Sequence, residues 1–122
     1  MSRILVVDDE ESVRYSFKRA FGSIYDIMTA ESGEEALQEI ERSPPELIFL
    51  DIRMPKLSGI EVLRRIKEYF PKLPVIMMTA YSDADTAIEA MKLGAFDYIP
   101  KPFEIREIRE LIKKGLEAHQ RL

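Results

Sequence analysis

The stretch ELIFLDIRMPKLSG, from Glu46 to Gly59, decides the fold. Leu47, Ile48, Phe49 and Leu50 form an unbroken apolar run, the composition of a strand covered on both faces by helices. Asp51 follows at once, a carboxylate delivered to the point where the low-dielectric core begins. Four more runs have the same character: RILVV (Arg3 to Val7), YDIMTA (Tyr25 to Ala30), PVIMMT (Pro74 to Thr79) and FDYI (Phe96 to Ile99). With ELIFL (Glu46 to Leu50) they make five predicted strands. YDIMTA is the most mixed of them and reads as an edge.

The segments between the runs carry helical spacing. Val13, Phe17 and Phe21 recur at i, i+4 and i+8, with Ala20 on the same face. SGEEALQEIER places Ser32 three residues before Glu35, and SGIEVLRRIKEYF does the same with Ser58 and Glu61, the pattern of a capping box. DADTAIEAMKLG puts Ala84, Ala87, Ile88 and Met91 on one face and ends at Gly94, a residue suited to the helix C′ position. Ile105, Ile108, Ile112 and Leu116 repeat the spacing in the last segment. By this periodicity the face containing Ile88, Met91, Ile105 and Ile108 is expected to be mostly core. Strand–helix alternation repeated five times implies an α/β domain, a parallel sheet with helices on both faces joined by right-handed crossovers.

Composition narrows the function. A chain of 122 residues is one domain's worth, and 46% apolar with 33% charged residues is an ordinary globular balance. The net charge of −4 argues against a domain whose main work is direct nucleic-acid binding. Without cysteine there is no disulfide, no Cys-ligated zinc and no thiol nucleophile. The apolar runs are strand-length, far short of the roughly 20 residues of a membrane helix. No membrane association is expected, and a soluble cytoplasmic protein is the default expectation.

In an open parallel sheet, ligands bind outside the carboxyl ends of the strands. The first strand ends in Asp8 and Asp9, the third in Asp51 and the fourth in Thr79, while Lys101 follows the fifth. Taken singly, each has a plain structural explanation: a turn or N-cap for the aspartate pair, a β-former for Thr79, a solvated loop lysine for Lys101. Together they put three carboxylates, one ammonium and one hydroxyl on a single rim. Clustered carboxylates repel and raise one another's pKa, and the two net negative charges match one divalent cation. An oxygen-only site with few protein ligands suits Mg²⁺, and an aspartate beside Mg²⁺ and lysine is a competent nucleophile toward phosphorus.

These residues closely resemble the receiver domain of two-component response regulators. The resemblance runs over essentially the whole chain, residues 1–122, through ILVVDDE, LIFLDIRMP with Gly59 beyond it, VIMMTAY and GAFDYIPKPF. It implies the flavodoxin-like receiver fold, a five-stranded sheet in the order 2-1-3-4-5 flanked by five helices. It further implies that Asp51 is the phosphoacceptor and that Asp9, Asp8 (largely through water), Asp51 and the backbone carbonyl of Arg53 hold Mg²⁺. Lys101 would pair with the phosphoryl oxygens, Thr79 would donate its hydroxyl to one of them, and Tyr98, three residues before Lys101, would be the switch aromatic. The resemblance further implies a cis Lys101–Pro102 bond, the usual form in such domains.

The implied partners are a sensor histidine kinase, an output domain and a second receiver in a homodimer. TAYSDADTAIEAMKLGAFDYIPKPFE is similar, more narrowly, to receivers of the nitrogen-regulation type, which precede an ATPase that activates sigma-54 polymerase and a DNA-binding domain. The chain carries no GxxxxGK[ST] motif and ends at LEAHQRL, so the front of a longer protein is expected rather than a stand-alone receiver. His119, the sole histidine, lies in a polar stretch and is expected to be solvated.

Two other chemistries use related parts. A phosphatase of the haloacid-dehalogenase kind also has a strand-end Asp nucleophile and Mg²⁺, but needs a second Asp two residues on, where this chain has Arg53. A flavin carrier on the same fold needs hydroxyl and Gly residues to cradle phosphate after the first strand, where this chain has DDEES.

Overall fold

Alternating apolar runs and amphipathic segments produce, among the described residues, ten elements in strict alternation. The computed structural model describes residues 1–80 and 84–120. In chain order they are β1 (Arg3–Val7), α1 (Glu11–Phe21), β2 (Asp26–Ala30), α2 (Gly33–Arg42), β3 (Leu47–Asp51), α3 (Gly59–Tyr69), β4 (Val75–Thr79), α4 (Ala84–Lys92), β5 (Asp97–Pro100) and α5 (Ile105–Gln120). Tyr81, part of two motifs quoted above, and Asp83, which opens DADTAIEAMKLG, lie outside the described residues. The strands pair in parallel in the order β2-β1-β3-β4-β5.

Side-chain alternation along each central strand divides the core in two. Ile4, Val6, Leu47, Phe49, Ile76 and Met78 face α1 and α5, where Phe17, Phe21, Ile108, Ile112 and Leu116 cover them. Leu5, Val7, Ile48, Leu50, Val75 and Met77 face α2, α3 and α4. Burial of β1, β3 and β4 on both faces explains their unbroken apolar sequences. β2 is only partly buried, as its mixed composition predicts for an edge.

Ser32 and Ser58 cap α2 and α3, each accepting from the backbone N–H three residues on, at 3.1 Å and 3.3 Å. The Glu61 carboxylate pairs with Arg64 and Arg65 on its own helix. Gly94 has φ +105° after α4. The Ala95 N–H bonds Ala90 O at 3.0 Å and the Gly94 N–H bonds Met91 O at 3.1 Å, completing a Schellman stop.

Two expectations are corrected. Ile88, Met91 and Ile105 are not core: they are 54%, 39% and 38% exposed, and of that group only Ile108 is buried. The inner face of α4 is carried by Ala87 and Ala90, small residues that let the helix lie close to the sheet edge. Ile88 and Met91 are thereby turned outward. His119 is half-buried rather than solvated, lining a pocket with Pro44, Pro45 and Phe70. Its Nδ1 is buried and meets no hydrogen-bond partner among the described residues.

The β3–α3 loop holds Lys56 at φ +68°. A side chain there costs roughly 1–2 kcal/mol, while an unfolded glycine carries roughly 0.5–1 kcal/mol more backbone entropy. Lys56→Gly is therefore expected to stabilise the fold by roughly 0.5–1 kcal/mol. A lower midpoint in urea denaturation would show that the lysine side chain holds this loop in a way its backbone angle conceals.

Candidate functional site

Strand register builds the site. Val7 lies opposite Leu50, so Asp8 and Asp51 each project one step past neighbouring strands. On the other side Leu50 pairs with Met77 and Asp51 with Met78, which carries Thr79 to the same rim. Thr79 in turn lies opposite Pro100, and its carbonyl accepts from the Lys101 N–H at 2.6 Å. That bond leads Lys101 back over the carboxylates, at the start of a segment whose Lys101–Pro102 peptide is cis.

The sheet thus brings together four of the residues singled out from sequence. Asp8, Asp9 and Asp51 each place a carboxylate oxygen within 4.8 Å of the others. Lys101 Nζ lies 2.7 Å from Asp8 Oδ2 and 3.5 Å from Asp51 Oδ2. Asp8, Asp51 and Thr79 are buried, whereas Asp9 is exposed at the mouth. The Arg53 backbone N–H donates to the Asp51 carboxylate. Tyr98 stands apart from the cluster, on the edge strand and 46% exposed.

Two contributors had gone unnoticed in the sequence. Glu10 holds Lys101 Nζ at 3.1 Å, while its backbone N–H donates to Asp8 Oδ1 at 2.9 Å. Arg14 donates to the Asp8 carbonyl at 2.8 Å and reaches Glu31 at 3.5 Å, fixing the turn after β1. Glu10 could have been suspected from its place beside the aspartate pair. Nothing local marks Arg14, whose partners lie just past the ends of β1 and β2.

Burial raises the Asp51 pKa to about 7, helped by the charge of Asp8 and opposed by Lys101 and the Arg53 N–H. Burial alone would lower Lys101, but its contacts with Asp8, Asp51 and Glu10 outweigh that and hold it well above the usual lysine range. Among the described residues Asp8 Oδ2 is buried without a well-aligned hydrogen-bond donor, and the Lys101 ammonium approaches it to 2.7 Å as an ion pair. A repelling carboxylate trio, with one oxygen under-satisfied and one carboxylate open to solvent, fits a hard divalent cation. Mg²⁺ accepts few protein ligands and retains water.

A sequence profile described as response regulator receiver domain matches residues 4–113. The chain is 42% identical over 118 residues to the DNA-binding transcriptional regulator NtrC of Escherichia coli (strain K12), covering 96% of this chain and 25% of that protein. It therefore spans about a quarter of the length of such relatives. Among solved structures, the receiver domain of NtrX from Brucella abortus superposes with TM-score 0.89 at 35% identity, covering 93% of this chain and 98% of that one. A response regulator receiver domain from Clostridium thermocellum gives TM-score 0.93 at 33% identity, with 98% of each chain covered.

Proposed function

The chain belongs to the response-regulator receiver family, and from that premise we propose that Asp51 accepts a phosphoryl group from a histidine of a sensor kinase. The observation that carries this reading is the position of Asp51: a buried carboxylate between Asp8 and Lys101, at the end of a central strand. An Asp51 oxygen forms a bond to phosphorus as the phosphorus–nitrogen bond of the donor breaks. The electron pair returns to the imidazole nitrogen, which takes up a proton. Phosphoryl transfer needs chiefly alignment and charge neutralisation. Lys101 neutralises phosphoryl oxygens, and Thr79 donates a hydrogen bond to one of them. The Arg53 N–H fixes the rotation of the nucleophile.

Asp8, Asp9, Asp51 and the Arg53 carbonyl would hold Mg²⁺, which when bound supplies the positive charge that lets two anions approach. Transfer replaces one negative charge on Asp51 by about two. Thr79 and Tyr98 then shift a two-state equilibrium in α4, β5 and α5. The domain is a regulatory element that catalyses its own phosphorylation and slow dephosphorylation.

Ile88, Met91, Tyr98 and Ile105 are all exposed on α4, β5 and α5. That edge is suited to an output domain or a second receiver. The output we propose is transcriptional, an ATPase with a DNA-binding domain in a longer chain, because the NtrC protein of Escherichia coli is a DNA-binding transcriptional regulator. No helix among the described residues is long and apolar enough to cross a membrane, in keeping with a cytoplasmic site of action.

Intact-protein mass spectrometry after incubation with acetyl phosphate tests the reading. One Mg²⁺-dependent phosphoryl adduct, labile to hydroxylamine, is the expected result. No adduct with acetyl phosphate or with a panel of histidine kinases would remove Asp51 from the role.

A further inference from the structure

We propose that Glu10 is a positioning residue for Lys101, a retainer that holds the ammonium back in the resting domain and yields it when Asp51 carries a phosphoryl group. The inference rests on the reading of Asp51 given above and deepens it.

Lysine has three N–H donors. Three carboxylates surround Lys101: Asp8 at 2.7 Å, Glu10 at 3.1 Å and Asp51 at 3.5 Å. The contact with the phosphoacceptor is the longest of the three. Among the described residues Glu10 is the carboxylate that accepts a hydrogen bond from the ammonium, so that bond has to be released before all three N–H groups can serve oxygens beyond Asp51. Asp8 is completely buried, and its second oxygen is pinned by the Glu10 N–H at 2.9 Å. The Glu10 side chain is 59% exposed and makes no capping bond at the start of α1. It also borders an open hollow of about 400 Å³ shared with Ser12, Ser16 and Lys101.

Glu10 is thus the partner that can leave at low cost. Its main chain stays in place, because its carbonyl accepts from the N–H groups of Val13 and Arg14 as α1 begins. The carboxylate therefore swings about a fixed point and returns to Lys101 when the phosphoryl group is gone. A half-exposed pair of this kind is worth up to about fivefold in an equilibrium constant. Lysine–phosphoryl pairing is weakened by that factor while Glu10 competes for the ammonium.

The test uses beryllium fluoride with Mg²⁺ as the phosphoryl mimic, titrated by NMR into wild type, Glu10→Gln, Glu11→Gln and Glu10→Gln in a Lys101→Ala background. Glu10→Gln is expected to bind about three- to fivefold more tightly than wild type. Glu11→Gln, which removes the same charge one residue away, should leave affinity unchanged. So should Glu10→Gln when Lys101 is absent. Affinity of Glu10→Gln equal to wild type would overturn the inference alone. An equal gain from Glu11→Gln, or a gain that survives the loss of Lys101, would overturn it in favour of simple charge repulsion. Absence of any Mg²⁺-dependent binding to wild type would instead remove the Asp51 reading, and this inference with it.

Discussion

Asp51→Asn is expected to lose phosphoryl uptake entirely and, at pH 8 with divalent cations chelated, to be more stable than the parent by about 2 kcal/mol. Both effects come from one carboxylate. In the folded chain its pKa is about 7, against 3.8 for an unperturbed aspartate. Between those values the native state holds a proton that the unfolded chain has released, so stability falls as pH rises through the window. Three units correspond to about 4 kcal/mol at the upper limit. The value of about 7 already includes the attraction of Lys101, but asparagine still has an amide to bury where the protonated carboxyl stood, so about half of that is expected to survive. Near pH 4 both side chains are neutral in the folded state, and the gain should shrink toward zero. Urea denaturation at several pH values, with the mass of each sample after acetyl phosphate treatment, measures both parts. A pH-independent gain would mean that Asp51 does not sit in the folded chain as a desolvated, repelled carboxylate.

The same carboxylate shows why so much could be read in the sequence. Strands buried on both faces have no room for polar residues, so where LIFL gives way to Asp51 the chain itself marks the edge of the core. Asp8 and Thr79 are marked in the same way by Val7 and Met78. Parallel pairing then brings these boundaries to one rim whatever the loops do. Glu10 is marked only by its place beside the aspartate pair and Arg14 by nothing local, because their roles depend on contacts across the fold, with Lys101 and with Glu31 just past β2. Helical periodicity failed at Ile88 and Met91 for a related reason. It finds an apolar stripe but cannot tell which side of the stripe meets the sheet, and here two alanines did.

Gly59→Ala is expected to destabilise the domain by about 3 kcal/mol or more and to slow phosphoryl uptake at Asp51. A Cβ on Gly59 would lie 2.1 Å from the Asp51 carbonyl oxygen, 2.7 Å from Ile52 Cα and 2.9 Å from the Asp51 carbonyl carbon. All three are backbone atoms, which cannot rotate aside as a side-chain tip can. The first turn of α3 comes this close because the Gly59 N–H donates to Ile52 O at 2.8 Å, tying the helix to the end of β3. A methyl group there breaks that bond, or it pushes the Asp51 peptide and alters the direction in which the carboxylate meets Asp8 and Lys101. Ser58→Ala separates this from a simple loss of helix capping. It removes the hydroxyl that accepts from the Glu61 N–H, costs about 1 kcal/mol and leaves the rate of uptake unchanged. Urea denaturation and the rate of adduct formation on both variants distinguish the two effects. Equal stability losses, with wild-type uptake in each, would show that the close approach of α3 to β3 does not aim the phosphoacceptor.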